Sequence, residues 1–178
     1  MTIEKVTKLI SSEEIAIKVK EVGKQITEDY KGKDIIVIAV LKGAILFMTD
    51  LLKEIDSNRL TIDFIGLSSY EGGLKSTGVV KITTDLTQSV RDKHVIIVED
   101  IIDTGLTLNF LIKNLKLRNP KSIAVCTLLE KPSNIQKPIK IDYKCFVIPD
   151  EFVIGYGLDY EERYRNLPYI GVMEFIKE

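Results

Sequence analysis

The chain has 178 residues, 45% hydrophobic and 29% charged, the balance of one globular domain with a core of its own. Lys and Arg total 25 against 26 Asp and Glu, and a net charge of −1 argues against the global basic field that holds nucleic acid or an anionic membrane. The N-terminal residues 1–14 hold no apolar core of signal-peptide length, residues 35–48 are split by Lys42-Gly43 and too short to span a bilayer, and Cys126 and Cys145, far apart in apolar runs, read as reduced buried thiols of a cytoplasmic protein.

Ser11-Ser12-Glu13-Glu14 opens a helix, which Ile15, Val19, Val22 and Ile26 continue at helical spacing. Residues 35–41, IIVIAVL, read as a strand apolar on both faces, as in a parallel sheet. Lys42-Gly43 follows at its carboxyl end, and residues 44–55 form an apolar-periodic helix. A cation, a glycine and a helix N-terminus at one junction suit a phosphate group; a solvated loop lysine is the plain alternative. Residues 60–66 are a third strand, interrupted by Asp63. Residues 67–78, LSSYEGGLKSTG, read as a long mobile surface loop of the kind that forms lids, and residues 79–84 as the returning strand.

The chain is organised around residues 94–109, HVIIVEDIIDTGLTLN. Val95 to Val98 form a strand buried on both faces, and Glu99 and Asp100 stand where it is expected to end. Asp103-Thr104-Gly105 then make a turn into a helix over residues 106–117. Such a turn offers unpaired backbone N–H groups and the positive end of the helix dipole, a cradle for phosphate. Thr104 and Thr107 add hydroxyl donors, and Gly105 allows close approach. No Lys follows the glycine, which excludes the nucleotide P-loop. Glu99 and Asp100 would repel phosphate, so they suit ribose hydroxyls or a divalent cation. The ligand implied is a sugar phosphate with free hydroxyls, together with Mg²⁺. The plain alternative is a buried strand, an acidic loop and an Asp-initiated helix cap.

Asn119-Pro120 ends the helix, residues 122–129 are the next strand, and Glu130-Lys131-Pro132-Ser133 lies at its end. Residues 135–141 connect to a short strand over 143–148, and residues 169–176 make a final strand or packing segment. Taken alone, Phe152 reads as core and Arg165 as a surface charge. His94, the only histidine, reads as a strand-edge residue rather than a catalyst.

The segment VIIVEDIIDTGLTL resembles the phosphoribosyl-pyrophosphate signature of type I phosphoribosyltransferases, in the form typical of hypoxanthine–guanine phosphoribosyltransferases. The resemblance extends from about Ile36 to Met173 and includes Leu41-Lys42-Gly43 and the block IPDEFVIGYGLDYEERYRNLPYIGV. It implies an α/β fold: a central parallel sheet flanked by helices, with a small hood from the N- and C-terminal segments. Residues 1–178 would be one domain, with its core from about residue 30 to 135. The Leu41–Lys42-Gly43 loop would contact pyrophosphate, and in relatives its Leu–Lys peptide bond is often cis. Phosphoribosyl pyrophosphate would be held by Lys42, Gly43, Glu99, Asp100, the Asp103–Thr107 turn (with Thr104, Gly105 and Leu106) and Arg165. Ser69 and Tyr70 would belong to a lid that keeps water from a cationic sugar.

The same resemblance gives Lys131 the 6-oxo group of the purine, Phe152 the stacking face and Val153 the base edge. An ammonium selects a carbonyl over a 6-amino group. Glu130 departs from many relatives, which are apolar there. Asp159, grouped with the purine site, would bind a Mg²⁺ facing pyrophosphate, with Glu99 and Asp100 as further ligands, and Asp103 would exchange a proton with N7 as acid/base catalyst. The activity implied is transfer of phosphoribosyl from phosphoribosyl pyrophosphate to hypoxanthine or guanine, giving IMP or GMP and pyrophosphate, in a homodimer or homotetramer. A xanthine-preferring enzyme and an RNA-binding regulator of the same fold are the alternatives.

Overall fold

The computed structural model describes residues 2–69 and 80–177. Its central sheet has six strands in the order β4-β3-β2-β5-β6-β7. These are β2 (Ile35–Leu41), β3 (Leu60–Ser69), β4 (Val80–Thr84), β5 (His94–Ile102), β6 (Ser122–Glu130) and β7 (Tyr143–Val147). All neighbouring pairs are parallel except β3–β4 at one edge. The two ends of the chain build a second, three-stranded antiparallel sheet from β1 (Thr2–Ile10), β9 (Ile170–Lys177) and β8 (Val153–Ile154). An α/β sheet with a small hood from both ends of the chain is the architecture expected.

The apolar runs behave as parallel strands require. Val95 to Val98 are fully buried and alternate between two cores, one on each face of the sheet. The helices α1 (Ser12–Asp29) and α2 (Ile45–Lys53) cover one face with Ile15, Val19, Val22, Ile26, Phe47 and Leu51. The helix α3 (Leu106–Lys116) covers the other with Leu108, Leu111 and Leu115. Burying each such side chain contributes roughly 1.5–3 kcal/mol. The start of α1 follows its sequence signature: Ser11 caps the Glu14 N–H, and the Glu14 carboxylate returns to the Ser11 N–H at 2.8 Å. Cys126 and Cys145 are buried and unbonded to each other.

From β2 the chain moves first to β3 on one side and later to β5 on the other. The carboxyl ends of β2 and β5 therefore diverge into a crevice, the place where open α/β sheets bind ligands. The expected end of β5 is corrected here. The strand does not stop at Val98 but runs through Glu99 and Asp100 to Ile102. Its ladder to β2 ends at Ala39–Val98, whereas its ladder to β6 continues to Ile102–Glu130. The carboxylate pair thus sits on strand backbone that has parted from β2, fixed by β6 rather than carried on a loop.

Two further differences have simple causes. β3 continues through Ser69, into the stretch read as a loop, because β4 pairs back on it. β1 was not expected as a strand: Lys5, Thr7, Lys8 and Leu9 are exposed, so no burial period marks it, and β9 alone supplies its pairing. Of the expected lid, Tyr70 lies outside the described residues, and Ser69 is described only as the end of β3.

Asp63, the polar break in β3, is 4% exposed and ties down the loop after β4. One carboxylate oxygen accepts the Thr87 and Gln88 N–H groups, each at 2.8 Å, and the other accepts the Phe64 N–H at 2.9 Å. Asp63→Ala leaves those donors without their acceptor, so it should cost about 2–3 kcal/mol of stability. Urea unfolding checks this, with a lowered midpoint expected at unchanged slope.

Candidate active site

The turn after β5 is built as a cradle. Gly105 adopts φ +76° at the start of α3, a left-handed conformation costly for other residues. A Cβ there would stand 2.7 Å from the Lys137 carbonyl oxygen. The Thr104 carbonyl accepts the Gln136 and Lys137 N–H groups at 3.0 and 3.3 Å, which pins the turn to the 132–141 connection. Glu99, Ile102, Asp103, Thr104, Gly105 and Thr107 surround a cavity of about 100 Å³ over the first turn of α3. Leu106 lies within the same turn, its N–H directed at Thr104 Oγ1 at 3.4 Å.

Asp103 Oδ1 is buried and accepts no hydrogen bond from the described residues. An orphaned carboxylate oxygen costs folding free energy, which is what a group held for an incoming proton looks like. Glu99 is 7% exposed, and burial, reinforced by the Asp100 charge beside it, raises its pKa well above the usual carboxylate range. Burial raises Asp100 to about 6; the Ile101 N–H and the Arg165 guanidinium pull the other way. Two adjacent carboxylates left electrostatically dissatisfied fit hydroxyl donors or a cation.

The β2 loop packs against this pair. The Leu41–Lys42 peptide bond is cis, which the sequence alone left open. A Cβ on Gly43 would overlap Asp100 Oδ2 at 1.6 Å, so only glycine lets the loop lie on the carboxylate. On its other side lies Gly157, at φ +103°, where a Cβ would stand 2.0 Å from the Gly43 carbonyl oxygen. Arg165 closes the cluster. It donates to the Gly157 carbonyl at 2.8 Å and pairs with Asp159 at 2.8 Å, while its Nε is buried without a partner among the described residues. Lys42, Gly43, Asp100, Asp159 and Arg165, scattered over 124 positions of sequence, thus meet at one end of the sheet.

A second group of residues lies at the carboxyl end of β6 and around β8. Lys131 follows directly on β6, is 8% exposed, and its N–H donates to the Ile102 carbonyl at 2.9 Å. Its only described ion pair is a long one, Nζ to Asp150 at 3.7 Å. Glu130, the departure from many relatives, is buried against Lys144 of β7 and so is neutralised by an ammonium other than Lys131. Val153 is buried in β8, and Phe152, just before it, is 46% exposed. Tyr160 and Phe175 meet the Phe152 ring at centroid distances of 5.8 and 6.2 Å. His94 bonds Ser122 at 2.7 Å at the opposite end of β5 and takes no part.

Sequence reasoning missed Gly157, Asp150, Tyr160, Glu162 and Phe175. The isolated Gly157 was a signal for close backbone approach; the others gain meaning only through contacts across the fold. Among the described residues, no group of three His, Cys, Asp or Glu side chains is close enough to bind a metal alone. A Mg²⁺ carried on a diphosphate needs only one or two protein carboxylates, and Asp100 beside Asp159 offers them.

Comparisons with known proteins identify the family and the fold. The family model described as phosphoribosyl transferase domain matches residues 5–161. A hypoxanthine-guanine phosphoribosyltransferase from Bacillus subtilis is 53% identical over 172 residues, covering 97% of this chain and 94% of that protein. The enzyme of the same name from Streptococcus pneumoniae strain R6 is 51% identical over 166 residues, covering 93% and 92%. The bifunctional protein TilS/HprT of Listeria innocua is 52% identical over 166 residues, but this chain spans only 26% of its length. The solved hypoxanthine phosphoribosyltransferase of Staphylococcus aureus superposes with a TM-score of 0.90 at 48% identity, covering 94% of this chain and 91% of that one. The chain belongs to the phosphoribosyl transferase domain family and has the type I phosphoribosyltransferase fold.

Proposed function

We propose that this chain is a purine-salvage transferase, moving the 5-phosphoribosyl group from phosphoribosyl pyrophosphate to hypoxanthine or guanine and yielding IMP or GMP and pyrophosphate. The observation that carries the reading is Asp103: a half-buried carboxylate with one buried oxygen unpartnered among the described residues, set in the cavity over the first turn of α3. In this reading the whole chain works as one phosphoribosyltransferase domain in the cytoplasm, assembled as a homodimer or homotetramer.

The residues divide the work by chemistry. The N–H groups of Asp103 to Thr107 and the two threonine hydroxyls take the 5′-phosphate, with the α3 dipole behind them. Glu99 and Asp100 accept hydrogen bonds from the ribose hydroxyls. Lys42, Gly43 and Arg165 hold the pyrophosphate, whose charge grows as the C1′–O bond breaks. Lys131 donates to O6, Val153 reads the base edge, and Phe152 stacks on the ring with its exposed face. Purine N9 bonds to C1′ of a cationic sugar as pyrophosphate leaves, and the proton on N7 passes to Asp103. Bound Mg²⁺, held by Asp100 and Asp159, would neutralise negative charge on the diphosphate.

The reading calls for no nucleic-acid or membrane partner, and a net charge of −1 gives no global basic field to attract one. A panel of hypoxanthine, guanine, xanthine, adenine and uracil with phosphoribosyl pyrophosphate and Mg²⁺ tests the reading. Turnover of hypoxanthine and guanine that EDTA abolishes is expected. Activity confined to xanthine, adenine or uracil would overturn the base assignment.

A further inference from the structure

The cations assigned to pyrophosphate already share an anion. Glu162 Oε2 lies 2.7 Å from Lys42 Nζ, and Glu162 Oε1 lies 3.3 Å from Arg165 Nη2. One carboxylate therefore spans the β2 loop and the C-terminal segment with its two oxygens, as two oxygens of a phosphoryl group would. All three side chains line one cavity of about 330 Å³, together with Thr83 and Thr84 from β4. The placement of Glu162 is local and specific. Its backbone is left-handed at φ +62°, and its N–H donates to Asp159 Oδ2 at 2.9 Å. Asp159 in turn pairs with Arg165, so a tight turn holds the carboxylate over the cations.

We propose that Glu162 is an internal stand-in for the leaving pyrophosphate: it bridges Lys42 and Arg165 when the site is empty and is displaced when pyrophosphate binds. The inference rests on the function proposed above. Two cations converging on an empty pocket repel each other, and Glu162 relieves that repulsion at short range. Its side chain is 64% exposed and its partner Lys42 66%, so the bridge is open to solvent and easily exchanged. Pyrophosphate, with several negative charges, outcompetes a single carboxylate but must first break these contacts. The exchange therefore weakens pyrophosphate binding and helps it leave after transfer. Residues of the base wall, Lys131 and Phe152, make no described contact with Glu162, so base affinity is independent of it.

The test compares the intact wild-type chain with Glu162→Gln, which keeps the shape and removes the charge. Titration calorimetry with pyrophosphate and Mg²⁺ at low ionic strength should show the variant binding about three- to tenfold tighter. The KM for phosphoribosyl pyrophosphate should fall in parallel, the KM for hypoxanthine should stay fixed, and added KCl should shrink the difference. Unchanged or weaker pyrophosphate binding by Glu162→Gln overturns the inference. A wild-type chain that turns over hypoxanthine without measurable pyrophosphate affinity also overturns it, while leaving the proposed function standing. A wild-type chain that neither binds pyrophosphate nor turns over a base overturns both.

Discussion

Replacing Asp103 by Asn should lower turnover about 10²-fold or more while leaving the protein folded and able to bind phosphoribosyl pyrophosphate. The carboxylate lies at the mouth of β5, where the strand gives way to the α3 turn, and its Oδ1 has no donor among the described residues. Asn matches its shape, so the turn and its Gln136 and Lys137 bonds to the Thr104 carbonyl are retained. What Asn cannot do is take a proton from N7 of the base. The loss should therefore fall on kcat, with the KM for phosphoribosyl pyrophosphate changed little, because the 5′-phosphate is gripped by backbone N–H groups. Thermal stability should hold or rise slightly, since a buried oxygen without a donor is a liability to the fold. Steady-state kinetics and a melting curve on one preparation check all of this. Near-unchanged turnover would remove Asp103 from the proton path.

Asp100→Asn should move stability and activity in opposite directions. Its carboxyl titrates near 6 because burial penalises the charge, more than the Ile101 N–H and the Arg165 guanidinium compensate. The sign follows directly. A carboxylate whose folded pKa is raised above its unfolded value binds the proton more tightly in the native state. Its charged form destabilises the native state above about pH 6, and that penalty disappears as pH falls through 6 toward 4. The ligand-free protein, in EDTA, should therefore gain stability from this group between pH 7 and pH 5. Asp100→Asn should be more stable than wild type at pH 7 by about 2 kcal/mol, allowing for partial solvent exposure, and should flatten that pH slope. Its turnover should fall about 10²-fold, because an amide neither accepts ribose hydroxyls as strongly nor holds Mg²⁺. Denaturant unfolding at both pH values, set beside turnover, decides it. A destabilised Asn variant with the wild-type pH slope would contradict the electrostatic reading of the pair.

That conflict between stability and function explains why so much was legible in the residues alone. Glu99 and Asp100 are a poor choice for a buried strand, Asp103-Thr104-Gly105 a deliberate turn, and Lys42-Gly43 an interruption of an apolar run. Each breaks a local rule, and broken rules concentrate at sites. The buried strands were equally visible, because β-branched runs such as Ile35 to Val40 and Val95 to Val98 have no other stable home. What stayed hidden depends on partners far along the chain. β1 is mostly exposed and is a strand only because β9 pairs with it. The true end of β5 is set by the reach of β6, not by its own composition. Tyr160 and Phe175 acquire a role only by meeting Phe152, and Glu162 only by meeting Lys42 across 120 positions.

The central claim is a transfer: the ribosyl carbon leaves pyrophosphate and arrives on a 6-oxopurine. Its most direct test is a single reaction with phosphoribosyl pyrophosphate, hypoxanthine and Mg²⁺, in which IMP and pyrophosphate are quantified together by mass spectrometry and a coupled assay. Equal amounts of both products are expected, formed only when both substrates are present. Pyrophosphate released with ribose 5-phosphate instead of IMP, or no product at all, would contradict it.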